Sequence, residues 1–168
     1  MIKLRQMAAA LIFDGDELLV MKRANKGGLF AGFWSFVGGH LEKSELNDPR
    51  SACLRELYEE IGLVEKDFVF FDKKYITLRR KENEIRIQYL YVATTKNRNI
   101  SETDEGELFW IKRSEIFNRT FSAVNESVLR HYFEIGKNND DIYVGVLNVV
   151  DDKPLVNWET LSNYIGSI

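Results

Sequence analysis

A chain of 168 residues is long enough for one domain with a substantial core, and 45% apolar residues are typical of a soluble globular protein. The net charge of −3 argues against a nucleic-acid partner, whose binding surface normally carries an excess of basic residues. Cys53 is the sole cysteine, so no intrachain disulfide forms, and we expect a protein of the reducing cytoplasm.

The first predicted elements are two strands. Apolar runs at 7–13 and 17–23 flank the turn 14–16, Asp-Gly-Asp, and predict a β-hairpin. Lys3 and Arg5 before the first run resemble the start of a signal peptide. The run is at the short limit for such a segment and cannot span a membrane, so we expect no membrane partner.

A glycine-rich stretch, 24–32, follows and predicts a flexible loop at the border of a site. Residues 33–37 then predict a short aromatic strand. Trp34 and Phe36 fall on one face of it and are expected in the core, although Trp34 at a pocket rim would also stack on a base. The strand leads into the glycine pair 38–39.

The next element is a helix predicted over 48–62. Asp48 is a good N-cap, Pro49 suits the first turn, and Gly62 is placed to end the helix. At 100° per residue an apolar stripe forms, which predicts the side that faces the core. Its members are Leu54, Leu57, Tyr58 and Ile61.

Three glutamates of this helix, Glu56, Glu59 and Glu60, fall almost opposite the stripe. Like charges on neighbouring turns repel, and a cation would offset the repulsion. Oxygen ligands that leave room for water suit Mg²⁺ or Mn²⁺. The alternative is a set of solvated surface glutamates on an amphipathic helix.

Strand-forming residues at 67–78 and 84–95 predict a second, longer hairpin around the polar run 79–83. We interpret Arg79–Lys81 as a solvated loop tip, with a phosphate contact as the alternative. An acidic loop, 101–107, then precedes a strand at 108–111.

A second helix is predicted over 121–135, with an apolar stripe of Phe121, Val124, Val128, Tyr132 and Ile135. Asn125 lies near the middle of this stripe. A buried amide needs hydrogen-bond partners, and leaving it without them costs about 1–3 kcal/mol. Asn125 therefore either caps local backbone groups or faces a ligand. We interpret His131 as an exposed or half-buried helix residue.

The C-terminal extension, about 138–168, predicts a last hairpin or paired edge strand from 142–150, a turn at 151–154 and a strand at 155–158, with a short helix or tail to 168. Three roles are open to it: it covers a sheet edge, narrows the pocket, or forms a homodimer contact.

The stretch 39–63 resembles the Nudix box, G-x5-E-x7-R-E-U-x-E-E-x-G-U, where U is a bulky aliphatic residue. Gly39 and Glu45 have the spacing of the motif, and every fixed position from Arg55 to Leu63 matches. The segment between Glu45 and Arg55 is two residues longer than the motif. The insertion is best placed in the loop ahead of Asp48, so it leaves the helix register intact.

The resemblance implies an α/β fold, a Nudix-type α/β/α sandwich with a mixed sheet between two helices and, in this chain, the extra C-terminal hairpin or edge strand. It implies that residues 1–168 are one Nudix hydrolase domain. It also implies a metal site. The implied ligands of Mg²⁺ or Mn²⁺ are Glu56, Glu59, Glu60, the carbonyl of Gly38, and Glu105 of the acidic loop, with Glu102 and Glu107 as alternates for the last.

Further roles follow from the resemblance. Arg55 would orient Glu45 or a helix glutamate, Arg23 would face the phosphates, and one of the helix glutamates or Glu105 would accept the proton of the attacking water. Asn125 lies in a stretch similar to the purine-contacting F-P-P-A-N-E segment of the MutT-like members.

The implied activity is metal-dependent hydrolysis of a phosphoanhydride bond in a nucleoside diphosphate linked to another group. We expect a purine (deoxy)nucleoside triphosphate, or an oxidised one, that gives the monophosphate and pyrophosphate. The alternatives are a nucleotide sugar or ADP-ribose as substrate and, in a different class, a non-catalytic Nudix-fold nucleotide sensor.

Overall fold

A computed structural model of the chain describes residues 1–24 and 32–163. Most of the predicted glycine-rich loop and the end of the predicted tail therefore lie outside the described residues. Within those residues nine strands and two α-helices form. They are β1 (Lys3–Asp14), β2 (Glu17–Arg23), β3 (Trp34–Ser35), β4 (Val37–His40), α1 (Pro49–Ile61), β5 (Phe68–Lys81), β6 (Glu84–Thr95), β7 (Gly106–Lys112), α2 (Ala123–Glu134), β8 (Tyr143–Val150) and β9 (Lys153–Thr160).

The strands form one mixed sheet in the order β3-β2-β1-β6-β5-β8-β9, with β4 paired to β1 and β7 paired to β2. The pairs β1–β6 and β5–β8 are parallel, and the other pairs are antiparallel. The predicted α/β class with a mixed sheet is confirmed, and both predicted hairpins form.

The two helices cover opposite faces of this sheet. Ala8 and Ala10 of β1 belong to the core under α1, whereas Ala9 and Leu11 belong to the core under α2. Neighbouring residues of a strand point to opposite faces, so one strand supplies both cores. The predicted α/β/α sandwich is confirmed.

The side of α1 that faces the sheet was partly mispredicted. Leu57 and Ile61 are buried as expected, but Tyr58 is 61% exposed. Ala52 and Cys53 are fully buried instead. Small side chains on the helix and alanines on the sheet let the two approach closely, and the helix is rotated accordingly. Cys53 packs as a small hydrophobe, and burial raises the pKa of its thiol.

The connection of the second hairpin is shorter than predicted. Arg79–Lys81 form the end of β5 rather than a loop tip, and the turn consists of residues 82–83. Glu82 adopts a left-handed conformation with φ of 53°, as tight two-residue turns require. The extra strand residues place Arg79 on the sheet.

The predicted helix 121–135 forms as α2 from Ala123 to Glu134, and the predicted stripe is buried at Val124 and Val128 and at Phe121, just before the helix. Ile135 is exposed because the helix ends at Glu134. The interpretation of His131 as an exposed or half-buried residue was wrong: it is 9% exposed, because its ring packs between aromatic side chains of the sheet.

The C-terminal hairpin extends the sheet, since β8 runs parallel to β5 and shields the edge of that strand. Its turn residues Asp151 and Asp152 have φ of 50° and 60°. Trp158 lies across Gly145 and donates a hydrogen bond to the Ser127 hydroxyl of α2 at 3.2 Å. Of the three roles open to the extension, covering a sheet edge is the one observed, and a homodimer contact stays a prediction.

Candidate active site

One cleft of about 350 Å³ brings most of the predicted site residues together. None of the described residues of the C-terminal extension lines it. The predicted residues that do are Arg23, Gly38, Glu56, Glu60, Glu105 and Asn125. Trp34 and Phe36 also line the cleft; Trp34 is half-buried there, and Phe36 is buried and belongs to the core. Two predicted residues, Arg55 and Glu59, do not line it.

The glycine pair in β4 makes the floor of this cleft possible. Gly38 has φ of 143°, and a Cβ there would overlap the backbone of Ala8 and Ala9 on β1. At Gly39 a Cβ would overlap the Glu56 carboxylate. Only glycine lets the strand, its neighbour and a carboxylate approach this closely.

Glu60 is the most enclosed acid of the cleft, with 8% of its surface exposed. One of its oxygens accepts the backbone N–H of Gly38 at 3.1 Å. Burial, together with the nearby charges of Glu105 and Glu56, raises the pKa of Glu60 to about 8. Among the described residues Glu60 forms no ion pair, whereas Glu56 is paired with Arg55.

Arg55 lies behind the cleft and holds the acidic side chains in place. Its Nε and Nη2 donate to the two oxygens of Glu45 at 2.8 and 2.9 Å, and its Nη1 donates to Glu56 and Glu59 at 3.0 and 2.8 Å. The hydrogen bonds from Arg55 lower the pKa of Glu45. The forked contact is the orienting arrangement predicted for Arg55. The two-residue insertion falls in the turn after Glu45 and leaves this pair intact.

Glu59 is placed differently from the prediction. Its side chain is 55% exposed and bonds to Arg55 rather than pointing into the cleft. Each residue of a helix is rotated by 100° about the helix axis from the one before it. In α1 this rotation directs Glu56 and Glu60 toward the sheet and Glu59 away from it. The assignment of Glu59 as a metal ligand stays a prediction and would require its side chain to leave Arg55.

Glu105 approaches the cleft from the other side. The pairing of β2 with β7 sets Arg23 opposite Gly106, and the Ala24 N–H donates to the Glu105 carbonyl at 2.8 Å. Gly106 packs against the Lys22 backbone where a Cβ would not fit. The alternates Glu102 and Glu107 do not line the cleft. Among the acids of this loop, Glu105 is the one beside Glu60.

The donor set fits a hard divalent cation. Glu56, Glu60 and Glu105 offer carboxylate oxygens around one cleft, and Gly38 leaves its backbone accessible there. Within residues 1–24 and 32–163, however, no three acidic, histidine or cysteine side chains converge into a preformed metal cage. Arg55 engages Glu56 and Glu59 in this arrangement, so metal binding would require these carboxylates to reorient.

Arg23 and Asn125 occupy the rest of the cleft. Arg23 is exposed at the end of β2, where its backbone N–H donates to Phe33 at 3.0 Å. Asn125 is buried in the first turn of α2. The Ser122 hydroxyl, not Asn125, caps the helix by accepting the Asn125 N–H at 3.3 Å. The side-chain amide of Asn125 forms no hydrogen bond with any described residue, and it lines the cleft.

Arg79 and Gln88 are two of the lining residues that the predicted site did not include. The sequence analysis predicts Arg79 in a solvated loop tip, with a phosphate contact as the alternative, although the pair Glu82-Asn83 is itself a turn signal that extends β5 to Lys81. Gln88 alternates with buried residues of β6 on the face toward α2. A polar side chain at a position of β6 that continues a row of apolar residues, Leu90 and Val92, was the feature of the sequence that could have indicated it.

A protein-family model described as NUDIX domain matches residues 3–132 of the chain. Over 58 residues the chain is 43% identical to an 8-oxo-dGTP diphosphatase of Proteus vulgaris, a match that covers 34% of this chain and 49% of that protein. The chain thus spans about half the length of this curated relative.

Solved structures share the fold. A MutT protein from Bacillus halodurans superposes with a TM-score of 0.71 at 19% identity, covering 93% of this chain and 97% of the other. The NUDIX domain of NrtR from Shewanella oneidensis, cocrystallised with ADP ribose, gives 0.62 at 14% identity, with coverages of 80% and 88%. These similarities establish the architecture, and the family model spans well over half of the residues. The chain belongs to the Nudix family.

Proposed function

We propose that this Nudix protein hydrolyses a phosphoanhydride bond in a nucleoside diphosphate linked to another group. Nudix hydrolases generally use divalent metal ions. A bound Mg²⁺ or Mn²⁺ neutralises phosphate charge and lowers the pKa of a bound water. Glu56, Glu60 and Glu105, with the Gly38 carbonyl, would hold it, and Glu59 would join them on release from Arg55. The observation that carries this proposal is the buried Glu60, which lies beside Glu56 and Glu105 and has no ion-pair partner among the described residues.

The residues of the chain perform the remaining work. One of the cleft carboxylates accepts the proton of the attacking water, and three of them stand close enough to share this task. Arg55 orients the acids through Glu45 and does not itself contact substrate. Arg23, at the open end of β2, binds the phosphates through its guanidinium fork.

The preferred substrate we propose is a purine (deoxy)nucleoside triphosphate, or an oxidised one, that gives the monophosphate and pyrophosphate. Asn125 supports this choice, because its buried amide faces the cleft without a partner among the described residues. An amide with one donor and one acceptor free reads the edge of a purine. The similarity to the Proteus vulgaris 8-oxo-dGTP diphosphatase points to the same class.

Two further expectations belong to this proposal. The pairing of β8 with β5 supports residues 1–168 as a single domain. The lone, buried thiol of Cys53 favours the cytoplasm. No described helix is both long and apolar enough to cross a bilayer.

The test is a panel of nucleotides incubated with Mg²⁺, with products separated by chromatography. It contains 8-oxo-dGTP, dGTP, dATP, pyrimidine triphosphates, ADP-ribose and a nucleotide sugar. We expect release of a purine monophosphate and pyrophosphate. Faster cleavage of ADP-ribose or of the nucleotide sugar would assign the alternative substrate.

The sensor alternative has its own readout, the affinity of the wild type and of Glu60→Gln for the same nucleotides by calorimetry. Equal binding by both proteins, with products from neither, would make the chain a nucleotide sensor.

A further inference from the structure

Three arginines lie side by side across the sheet. The strand register sets Arg5 of β1 opposite Arg86 of β6, and Arg86 opposite Arg79 of β5. Residues directly opposite each other on adjacent strands point to the same face. Two positions closer to the middle of the strands, Met7 lies opposite Gln88, and both line the substrate cleft. The arginine row therefore borders the cleft.

A second row of charges lies beyond the first. Lys3 and Lys81 both pair with Glu84, on the same face. Glu84 is the single carboxylate in the two rows, and it bonds to both Arg86 and Arg5. Five basic side chains thus share one acid. This concentration is unusual on a chain whose net charge is −3.

Arg79 is the member of the row that enters the cleft. It is half-buried, and it forms no ion pair or hydrogen bond with any residue that the structure describes. The segments outside the described residues, 25–31 and 164–168, contain no aspartate or glutamate. A guanidinium taken out of water without a carboxylate partner is unfavourable, so the site gains free energy when an anion binds.

The row stands far from the acidic end of the cleft. Gly38 pairs with Ala9, and Arg5 lies four residues earlier on that strand, which corresponds to about 13 Å. Arg79 lies two strands further across, a displacement of about 10 Å. An anhydride bound at the acids and an anion bound at Arg79 are therefore different groups of one extended ligand.

The geometry points to a second anion subsite, in which Arg79, with Arg86 and Arg5 behind it, binds a phosphate group remote from the scissile anhydride. The inference rests on the proposed function and narrows its substrate class. The favoured substrates are nucleotides with a further phosphate ester on the ribose or on the group attached to the diphosphate. The planar fork of arginine makes two parallel hydrogen bonds to phosphate oxygens. Free inorganic phosphate is the other source of the same chemistry.

Matched substrate pairs test this subsite. GTP is compared with guanosine 3′-diphosphate 5′-triphosphate, and NADH is compared with NADPH, since each pair differs only by remote phosphate. With Mg²⁺ we expect kcat/KM to be about tenfold higher for the phosphorylated member of at least one pair, the effect of one charge-assisted bidentate contact. Arg79→Gln should abolish this preference, and Arg79→Lys should restore part of it.

Arg80→Gln is the matched control. Arg80 is the next residue of β5 and points to the opposite face, and its single hydrogen bond with a described residue is to the Glu82 carbonyl at 3.0 Å. Its loss should leave the preference intact. Thermal melting of each variant checks that the fold is preserved.

Equal kcat/KM within both pairs would overturn the inference. So would an equal loss for both members of a pair in Arg79→Gln, which would mean that Arg79 binds a group common to both. Inorganic phosphate is titrated separately, without Mg²⁺, by calorimetry. Binding of phosphate that depends on Arg79, combined with equal affinities within each pair, would assign the subsite to the free anion and overturn the substrate class.

Failure of the proposed hydrolase function can be distinguished from failure of the anion subsite. If the wild type cleaves none of these nucleotides, the hydrolase proposal fails. The subsite is still decided by their affinities for Glu60→Gln in Mg²⁺, where about tenfold tighter binding of a phosphorylated member supports it and equal binding refutes it.

Discussion

The two faces of the sheet each bury a titratable side chain, and they treat it in opposite ways. Under α1, Glu60 receives one backbone hydrogen bond and lies near two other acids. Under α2, His131 shares a hydrogen bond of 3.0 Å with the Tyr75 hydroxyl and contacts the rings of Tyr143 and Trp158, with centroids 4.5 and 4.8 Å away.

This difference separates function from stability. Burial and neighbouring acids raise the pKa of Glu60, so the fold disfavours the charged form that a metal ligand requires. Burial lowers the pKa of His131, so the fold favours the neutral form, whose ring nitrogens suit the Tyr75 hydroxyl. The α1 face disfavours the charged form of Glu60, which a bound cation would stabilise, whereas the α2 face pairs the neutral ring of His131 with Tyr75 within the chain.

Glu60→Gln is the sharpest test of this division. We expect kcat to fall about 10³-fold, a loss of about 4 kcal/mol in transition-state stabilisation. In Mg²⁺-free buffer the free energy of unfolding should rise by about 1–3 kcal/mol, because the cost of burying an ionisable carboxyl beside two other acids is removed. Steady-state kinetics and urea denaturation measure the two effects.

Glu126 of α2, whose partly exposed side chain pairs with Arg130 at 2.7 Å, gives the control. Glu126→Gln should change neither quantity by more than about 0.5 kcal/mol. A Glu60→Gln protein that is less stable than the wild type without metal would contradict the idea that the α1 face is strained by its acids.

On the other face, His131→Ala should destabilise without affecting catalysis. It leaves the buried Tyr75 hydroxyl without a partner and opens a cavity beside Trp158, so we expect a loss of about 2–4 kcal/mol in the free energy of unfolding. Below the melting temperature kcat/KM should equal that of the wild type. A large loss of kcat in the folded variant would refute the separation of the two faces.

Arg55→Gln tests whether the orientation of the acids on the α1 face determines the affinity for Mg²⁺. Arg55 bonds to Glu45, Glu56 and Glu59, so its loss frees the acids from their orientation. We expect apparent Mg²⁺ affinity, read from the metal dependence of the rate, to fall 10- to 100-fold, as for other residues that orient metal ligands. Arg55→Lys should recover less than half of the loss in free energy, since an ammonium cannot form the fork. Unchanged metal affinity would show that the acids are positioned without Arg55.

The sequence predicted the α1 face better than the α2 face, for physical reasons. The caps Asp48 and Gly62 are local signals, and both form as expected, with Gly62 at φ of 75°. Glycines and acids at fixed spacing likewise depend on short-range geometry. The burial of His131, by contrast, depends on β8 and β9, and β8 pairs with β5, a strand some 70 residues earlier in the chain.

The errors within the site have the same origin. The exposure of Tyr58 and the position of Glu59 depend on the rotation of α1 about its axis, which the alanines of β1 decide. The position of Arg79 depends on where the β5–β6 turn falls. Periodicity gives the faces of an element, but its rotation and register are set by partners distant in sequence.

The smallest expected effect is the part of the pH dependence of stability that His131, on the α2 face, contributes. Because the pKa of His131 is lowered from 6.5, the unfolded chain binds its proton more readily than the folded one. The stabilisation is therefore complete above pH 6.5 and is lost as the pH falls through the lower pKa of the folded state. Glu134 opposes the shift and Lys74 adds to it, but burial is the main cause.

The measurement is urea unfolding of the wild type and of His131→Gln between pH 8 and pH 5. Gln keeps a polar group for Tyr75 but does not titrate. The pKa of His40 is also lowered by burial, and because His40 titrates in both proteins, the difference between their stabilities isolates His131. That difference should shrink as the pH falls below 6.5. Parallel stability curves over this range would mean that the α2 face does not select the neutral imidazole, and its contrast with Glu60 would then rest on packing rather than on charge.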